Sequence, residues 1–343
     1  MRVLVDVSHP AHVHLFRHAV ERLRADGHEV GVVSRAKDVT TDLLDAYGVS
    51  HVPISRKRSG PAALPREWLR RAARLLRVAR SFKPDVVLSR LNPAATHVGR
   101  LLGVPNVVFH DTEAAGLVDR VTTPFATVVC TPVEFDRDVG TAQRRYAGFH
   151  ELAYLHPARF ERDPDRLRAA GVEPDDPYAV VRLVGMDAHH DAGTAGLPPE
   201  AVRSLVDGLG THGEVYVTSE RPLPPELADR EPPVAVEDMH QLLAFADVYA
   251  GDSSTMATEA GVLGTPSVRY DPLAAEMGNF AALSEYGLVV STTEADEAVE
   301  RALALAADGG ADARWRRRRR RLLADKIDVT AYITEVVTEV GER

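Results

Sequence analysis

The sequence predicts an α/β protein made of two doubly wound domains in tandem. Three observations predict it: a length of 343 residues, short β-branched runs alternating with helical stretches, and a second such series after a proline-bearing break. At roughly 100–200 residues per domain, a chain of this length holds two cores. Hydrophobic residues at 45% and charged residues at 27% form an ordinary globular mixture and exclude a mainly disordered chain.

Taken in order, residues 3–7, 29–33, 85–88, 106–109 and 127–130 read as buried strands bounded by Gly, Pro or polar residues. Helical patterns lie between them, as in 12–25, where Val13, Phe16, Val20 and Leu23 recur at helical spacing. Such alternation implies a parallel sheet covered by helices on both faces. The pattern breaks over 146–177 and resumes with strands at 178–184, 214–218, 247–250, 267–270 and 288–290. Two closing helices follow at 312–326 and 329–340. The domains are therefore drawn as 1–150, a linker 151–177, a second domain 178–310, and closing helices 311–343 that pack on either domain or across both. Ligands belong at the carboxyl ends of the strands, in the crevice.

The 41 basic and 50 acidic residues leave a net charge of −9, which argues against a nucleic-acid-coating protein. Lys37, Lys57, Lys83 and Lys326 are the only lysines, so 37 of the 41 basic residues are arginine, the habit of an arginine-biased genome. The single cysteine, Cys130, excludes an internal disulfide framework and a cysteine-built zinc site, and it suits a reducing compartment. The amino terminus has no signal-peptide pattern, and no run of about 18 apolar residues appears, so the chain reads as cytoplasmic.

Four constellations carry chemistry. The first strand ends in Ser8-His9-Pro10-Ala11-His12-Val13-His14 as a helix begins. Such a loop places reactive groups at the sheet's carboxyl edge, and His9, His12 and His14 titrate near neutrality. Shared metal ligation by His12 and His14 is disfavoured, because they point about 200° apart on a helix; a polar cap is the plainer alternative. The second is His110-Asp111-Thr112-Glu113, again after a strand. Its carboxylates suit acid–base work or sugar hydroxyls, against a reading as helix caps. The third is Asp187-Ala188-His189-His190 in a Gly-flanked loop, where the density of Asp187, His189 and His190 suits binding, against the polar residues that loops carry by default; a two-metal site is disfavoured for want of a second cluster. The fourth, 246–266, runs a strand into Asp252-Ser253-Ser254-Thr255-Met256. The backbone N–H groups at Ser254, Thr255 and Met256 and the hydroxyls of Ser253, Ser254 and Thr255 make a phosphate cradle aided by the helix dipole, with Glu259 placed for a ribose diol.

These residues resemble known enzymes. Ala11-His12-Val13 through Asp26-Gly27-His28-Glu29-Val30 resembles the opening of GT-B glycosyltransferases, in which a Gly-His-Val segment precedes a helix ending in Gly-His-Glu-Val. His12 matches the histidine that many of those enzymes use as base. His110-Asp111-Thr112-Glu113-Ala114-Ala115-Gly116 is similar to the His-Glu-Gln-Asn…Gly segment of the lipid II-forming N-acetylglucosaminyltransferase. It is at least as similar to the His-Val-Glu-Ala-Gly of UDP-N-acetylglucosamine 2-epimerase. Glu259 through Leu263-Gly264-Thr265-Pro266 matches the Glu…Gly-x-Pro signature by which both families grip the ribose. Over nearly the whole chain the likeness is to an archaeal and bacterial family catalogued as domain of unknown function 354. Segments 151–157, 237–244 and 325–330 carry it. Ser8-His9-Pro10-Ala11 replaces the transferases' glycine-rich first loop, and Asp187-Ala188-His189-His190 replaces their glycine-serine loop.

The resemblance implies a GT-B-like fold of two Rossmann-like domains facing across a cleft. It further implies an inverting, metal-independent transfer of sugar from a nucleotide-sugar, UDP-linked, to a glycan or lipid-linked acceptor, as in cell-surface glycan biosynthesis. Ser253, Ser254, Thr255 and Met256 would hold the diphosphate, Glu259 the ribose, Asp238 and Met239 the base, and Arg269 the departing charge. His12 would deprotonate the acceptor, with Asp111, Glu113, His9, His14 and His110 beside it. No cofactor or metal is expected. A nucleotide-sugar 2-epimerase using Glu113 and Asp111, and a binding protein without turnover, are the other two readings. Residues 66–80 form a basic amphipathic helix with Trp68, Leu69, Ala72, Leu75, Leu76 and Ala79 towards one face. A sheet-covering helix with a solvated arginine face is the favoured reading, and peripheral contact with an anionic membrane is its alternative. The run 316–321 reads as a charged helix face rather than a nucleic-acid site.

Overall fold

The computed structural model describes residues 1–36, 39–56, 63–184, 196–220, 222–272 and 278–343, with the side chains of 63–67 and 114 outside that description. It divides into two compact units, the first of Met1–Arg159 with Lys326–Arg343 and the second of Phe160–Asp325.

The first unit is built on a seven-stranded parallel sheet. Its strands are β1 (Arg2–Val7), β2 (Glu29–Ala36), β3 (Val52–Arg56), β4 (Val86–Arg90), β5 (Asn106–Phe109), β6 (Val128–Pro132) and β7 (Gln143–Tyr146). Their order is β3-β2-β1-β4-β5-β6-β7, so the chain reverses its direction of winding between β1 and β4. The inner strands are the Val-rich runs that the sequence marks, and β1, β4, β5 and β6 are buried almost throughout. The edge strands β3 and β7 are absent from the expected list. Val52-Pro53-Ile54-Ser55-Arg56 and Gln143-Arg144-Arg145-Tyr146 are only partly buried, as befits strands with one open side.

The second unit holds a five-stranded parallel sheet ordered β12-β11-β10-β8-β9. These strands are β8 (Tyr178–Leu183), β9 (Glu214–Ser219), β10 (Val248–Gly251), β11 (Ser267–Tyr270) and β12 (Val289–Thr292). Helices Pro199–Leu209 and Ala295–Ala306 close its core against Val181, Leu183, Val215, Val217, Val248 and Val268. The winding reverses between β8 and β10. There the backbones come so close that a Cβ on Gly251 would lie 2.2 Å from the Arg182 carbonyl oxygen, so only glycine fits.

Two expected boundaries change. The stretch 151–177 is not a free linker. Leu152, Tyr154 and Leu155 are buried in the first unit, and Leu167 and Val172 in the second, because each apolar cluster finds a core. The closing helices also part company. Ala311–Asp325 stays with the second unit, where Trp315 Nε1 donates to Leu288 O at 2.8 Å. Val329–Gly341 returns to the first, burying Val329, Ile333, Val336, Val337 and Val340, with Thr330 Oγ1 donating to Ala153 O at 2.6 Å.

The basic helix spans Ala63–Phe82, and it too differs from expectation. Leu75 and Ala79 are buried, yet Trp68 and Leu69 are 47% and 74% exposed. Arg71 turns inward instead of joining a solvated face. It pairs with the buried Asp6 of β1 and donates to Ser55 Oγ at 2.7 Å, while Arg74 donates to Ile54 O at 3.0 Å. Burial raises the Asp6 carboxyl and Arg71 opposes it, so this pair fastens the helix to the sheet. In the run 316–321, Arg318 and Arg319 donate to the carbonyls of Gly287 and Val262, and Arg316 pairs with Asp312. No helix among the described residues is long and apolar enough to cross a membrane.

Candidate active site

In the first unit the carboxyl ends of β1, β4 and β5 gather the groups that the sequence singled out. After β1, His9 caps the helix Pro10–Ala25, its Nδ1 accepting from Ala11 N at 3.2 Å. Proline follows at the first helical position, where its missing N–H costs nothing. His12, one turn on, is buried; its Nδ1 accepts from Ser8 N at 3.4 Å and lies 3.4 Å from Ser8 Oγ. Burial, then the positive groups Arg90, His9 and His150, hold His12 well below the usual histidine range, with Asp111 pulling the other way. His14 does not join them. It stacks on Tyr154 with centroids 5.1 Å apart and meets Tyr47 edge-on at 5.8 Å.

After β5, Asp111 is the centre of the site. Its Oδ1 takes Arg90 Nη2 and accepts from Thr112 Oγ1 at 3.0 Å, and its Oδ2 lies 2.8 Å from His150 Nδ1. Burial works to raise this carboxyl, but Arg90 and His150 together hold it well below the usual carboxylate range. Arg90 also donates to Thr112 Oγ1 at 3.1 Å. His110 is buried against the Phe135 ring at 4.7 Å, 3.6 Å from Asp119, and burial lowers it to about 4. Glu113 opens the short 3-10 turn Glu113–Ala115, and its carbonyl accepts from Arg137 Nη1 at 3.0 Å. Arg90 and His150 are the residues that sequence reading missed. Arg90 carried a signal, since it lies two residues past the expected strand 85–88, at the sheet's carboxyl edge; His150 lay next to the expected linker and carried none.

In the second unit β10 runs into the helix Ser254–Leu263, capped by Ser253, whose Oγ accepts from Met256 N at 3.4 Å. Ser253, Ser254 and Met256 are partly exposed and Thr255 is exposed, so the amino end of this helix is open to a ligand. Arg269 on β11 reaches it from the side. Its Nε donates to Ser254 Oγ at 3.0 Å, its Nη2 pairs with Asp271, and its guanidinium sits 3.8 Å from the Phe280 ring centroid. Burial lowers Arg269, and Asp271 opposes that. The helix ends at Gly264, whose φ of +87° is the left-handed turn that glycine accepts freely. Glu259 is buried on this helix and lies 3.0 Å from Nε2 of the buried His240. Asp238 and Met239 begin the neighbouring helix Met239–Phe245, with Asp238 2.5 Å from Arg166.

Asp252, just before the capping Ser253, accepts from Val184 N at 2.6 Å and Leu197 N at 3.1 Å. Asp187, His189 and His190 lie outside the described residues, between those two anchors. Among the described residues no three His, Cys, Asp or Glu side chains gather as a metal site.

Residues 1–195 match the profile of the family described as Protein of unknown function (DUF354). The chain belongs to that family. As a DUF354 member it is similar to the uncharacterized protein MJ0665 of Methanocaldococcus jannaschii, with 21% identity over 280 residues, 79% of this chain and 82% of that protein. Among solved structures it is similar to the glycosyltransferase VinC in complex with dTDP, with 16% identity, both chains fully covered and a TM-score of 0.65. A UDP-N-acetylglucosamine 2-epimerase, so assigned for Listeria monocytogenes, gives 13% identity, 92% and 90% coverage and the same TM-score of 0.65. The fold of this DUF354 chain is therefore GT-B-like, with two Rossmann-like units.

Proposed function

We propose that this DUF354 protein is a metal-independent glycosyltransferase that takes its sugar from a nucleotide-sugar, UDP-linked, and passes it with inversion to a glycan or lipid-linked hydroxyl. The observation that carries the reading is the open amino end of the helix Ser254–Leu263, at the point where the second sheet reverses its winding. The first turn of that helix carries the Ser253 and Ser254 hydroxyls, with Ser253 Oγ on Met256 N and the Arg269 guanidinium on Ser254 Oγ. A diphosphate gains charge as its bond to the sugar breaks, so fixed donors of this kind favour the transition state most. Glu259, positioned by His240, would meet the ribose, and Asp238 and Met239 the base. The acceptor's chemistry falls to the first unit, where His12, Asp111 and Glu113 stand with Arg90 and His150 at the sheet's carboxyl edge. The dTDP of VinC supports the assignment of a nucleotide ligand.

A thermal-shift series with UDP, dTDP and their sugars tests this, since a true ligand stabilises by mass action. The wild type is expected to gain several degrees with at least one nucleotide. Thr255→Asp leaves a helix amino end content with a negative charge, but it repels a diphosphate and should abolish the gain. No gain with any nucleotide would overturn the scheme. The likeness to the 2-epimerase and the carboxylates at Asp111 and Glu113 favour epimerisation as the second reading. In that case deuterium from the solvent enters the sugar's C2 without any acceptor present.

A further inference from the structure

The carboxylate–imidazole pair at the carboxyl edge of the first sheet joins Asp111 to His150, not to His12. His150 begins the 3-10 turn His150–Ala153, its ring parallel to Tyr146, and its Nδ1 lies 2.8 Å from Asp111 Oδ2. Arg90 and Thr112 hold the other carboxylate oxygen, so Asp111 is fixed on both sides. An ionised carboxylate only accepts, so the proton of the bond belongs to His150 Nδ1, and in the neutral ring Nε2 carries the lone pair. That Nε2 is buried and meets no hydrogen-bond partner among the described residues. A buried acceptor without a partner is costly, and a hydroxyl that donates to it recovers that cost.

His12 is arranged the other way round. A backbone N–H can only donate, so Ser8 N places the His12 ring proton on Nε2. Among the described residues no carboxylate lies within ion-pair distance of it.

We infer that His150, held by Asp111, is the group that takes the acceptor's proton at Nε2, and that His12 donates a hydrogen bond to the substrate instead. The inference rests on the transfer reading above. In the step, the acceptor O–H bond breaks with its proton going to His150 Nε2, and the acceptor oxygen bonds to the anomeric carbon. The bond from that carbon to the nucleoside diphosphate breaks, and its electron pair leaves on the diphosphate. The imidazolium formed lies against Asp111, which stabilises its charge.

Long-range proton–nitrogen correlation spectra of the 15N-labelled full chain test the pair directly. His150 should show a protonated Nδ1 and a bare Nε2. In Asp111→Asn, Arg90 draws the amide oxygen, the amide NH2 faces His150, and the ring proton should move to Nε2. A wild-type His150 protonated at Nε2 overturns the inference. With UDP-N-acetylglucosamine as probe, release of UDP should fall about a hundredfold or more in His150→Gln while UDP still binds. Release at the wild-type rate in that variant also overturns it. Failure of the wild type to bind UDP counts against the donor assignment alone, because the tautomer measurement needs no nucleotide.

Discussion

His110 sits one residue before Asp111, yet its environment is that of a core residue. Burial lowers it from 6.5 to about 4. Between those values the unfolded chain binds a proton that the folded chain refuses, so stability rises with pH across the window and is lost on acidification. The loss at this one site is on the order of 3 kcal/mol when fully expressed. His110→Gln should therefore flatten the dependence of urea-unfolding free energy on pH between 6.5 and about 4. An unchanged slope would assign the acid sensitivity to other groups. Asp111 and His12 were legible as candidates because strand ends in doubly wound folds face the ligand. Their partners were not: Arg90 and His150 meet Asp111 only through the folding of separate elements, and a single sequence carries no trace of that pairing.

Among the elements, the turn after β10 is pinned through Asp252. Asp252 holds the backbone on both sides of 185–195 through Val184 N and Leu197 N. Burial raises its carboxyl, and those N–H groups offset the rise. Asp252→Ala leaves two donors without their acceptor and should lower stability by about 2 kcal/mol or more, while Asp252→Asn, keeping one acceptor, should recover part of that. A denaturation midpoint unmoved in the alanine variant would show that solvent replaces the carboxylate at no cost. The helix Ser254–Leu263 was readable because its cap, its small first turn and its Gly264 stop are all local signals. Strands β3 and β7 were not, since edge strands need only one apolar side and theirs is short.

At the scale of the whole molecule, the first unit depends on the last helix in the chain. Val329, Ile333, Val336, Val337 and Val340 are buried there, and each contributes about 1.5–3 kcal/mol. Their sum is comparable with the roughly 5–15 kcal/mol that holds an entire domain. A chain ending at Asp325 should lose amide protection in β1 and β4 while β8 and β10 keep theirs. Hydrogen exchange reads both at once, and full protection of β1 in the shortened chain would show that the helix is dispensable.

The sequence by itself determined the architecture: two parallel sheets, the strands at their centres, and the loops at the carboxyl ends where chemistry would collect. Those follow from periodicity and from end signals only a few residues long. Only the tertiary structure decided that His150 is paired with Asp111, that Arg71 points inward to Asp6, that Glu259 is buried beside His240, and that the closing helices belong to different units. Each of these depends on the distance between groups far apart in the chain. A buried charge is stable only beside its partner, and that partner is chosen by packing.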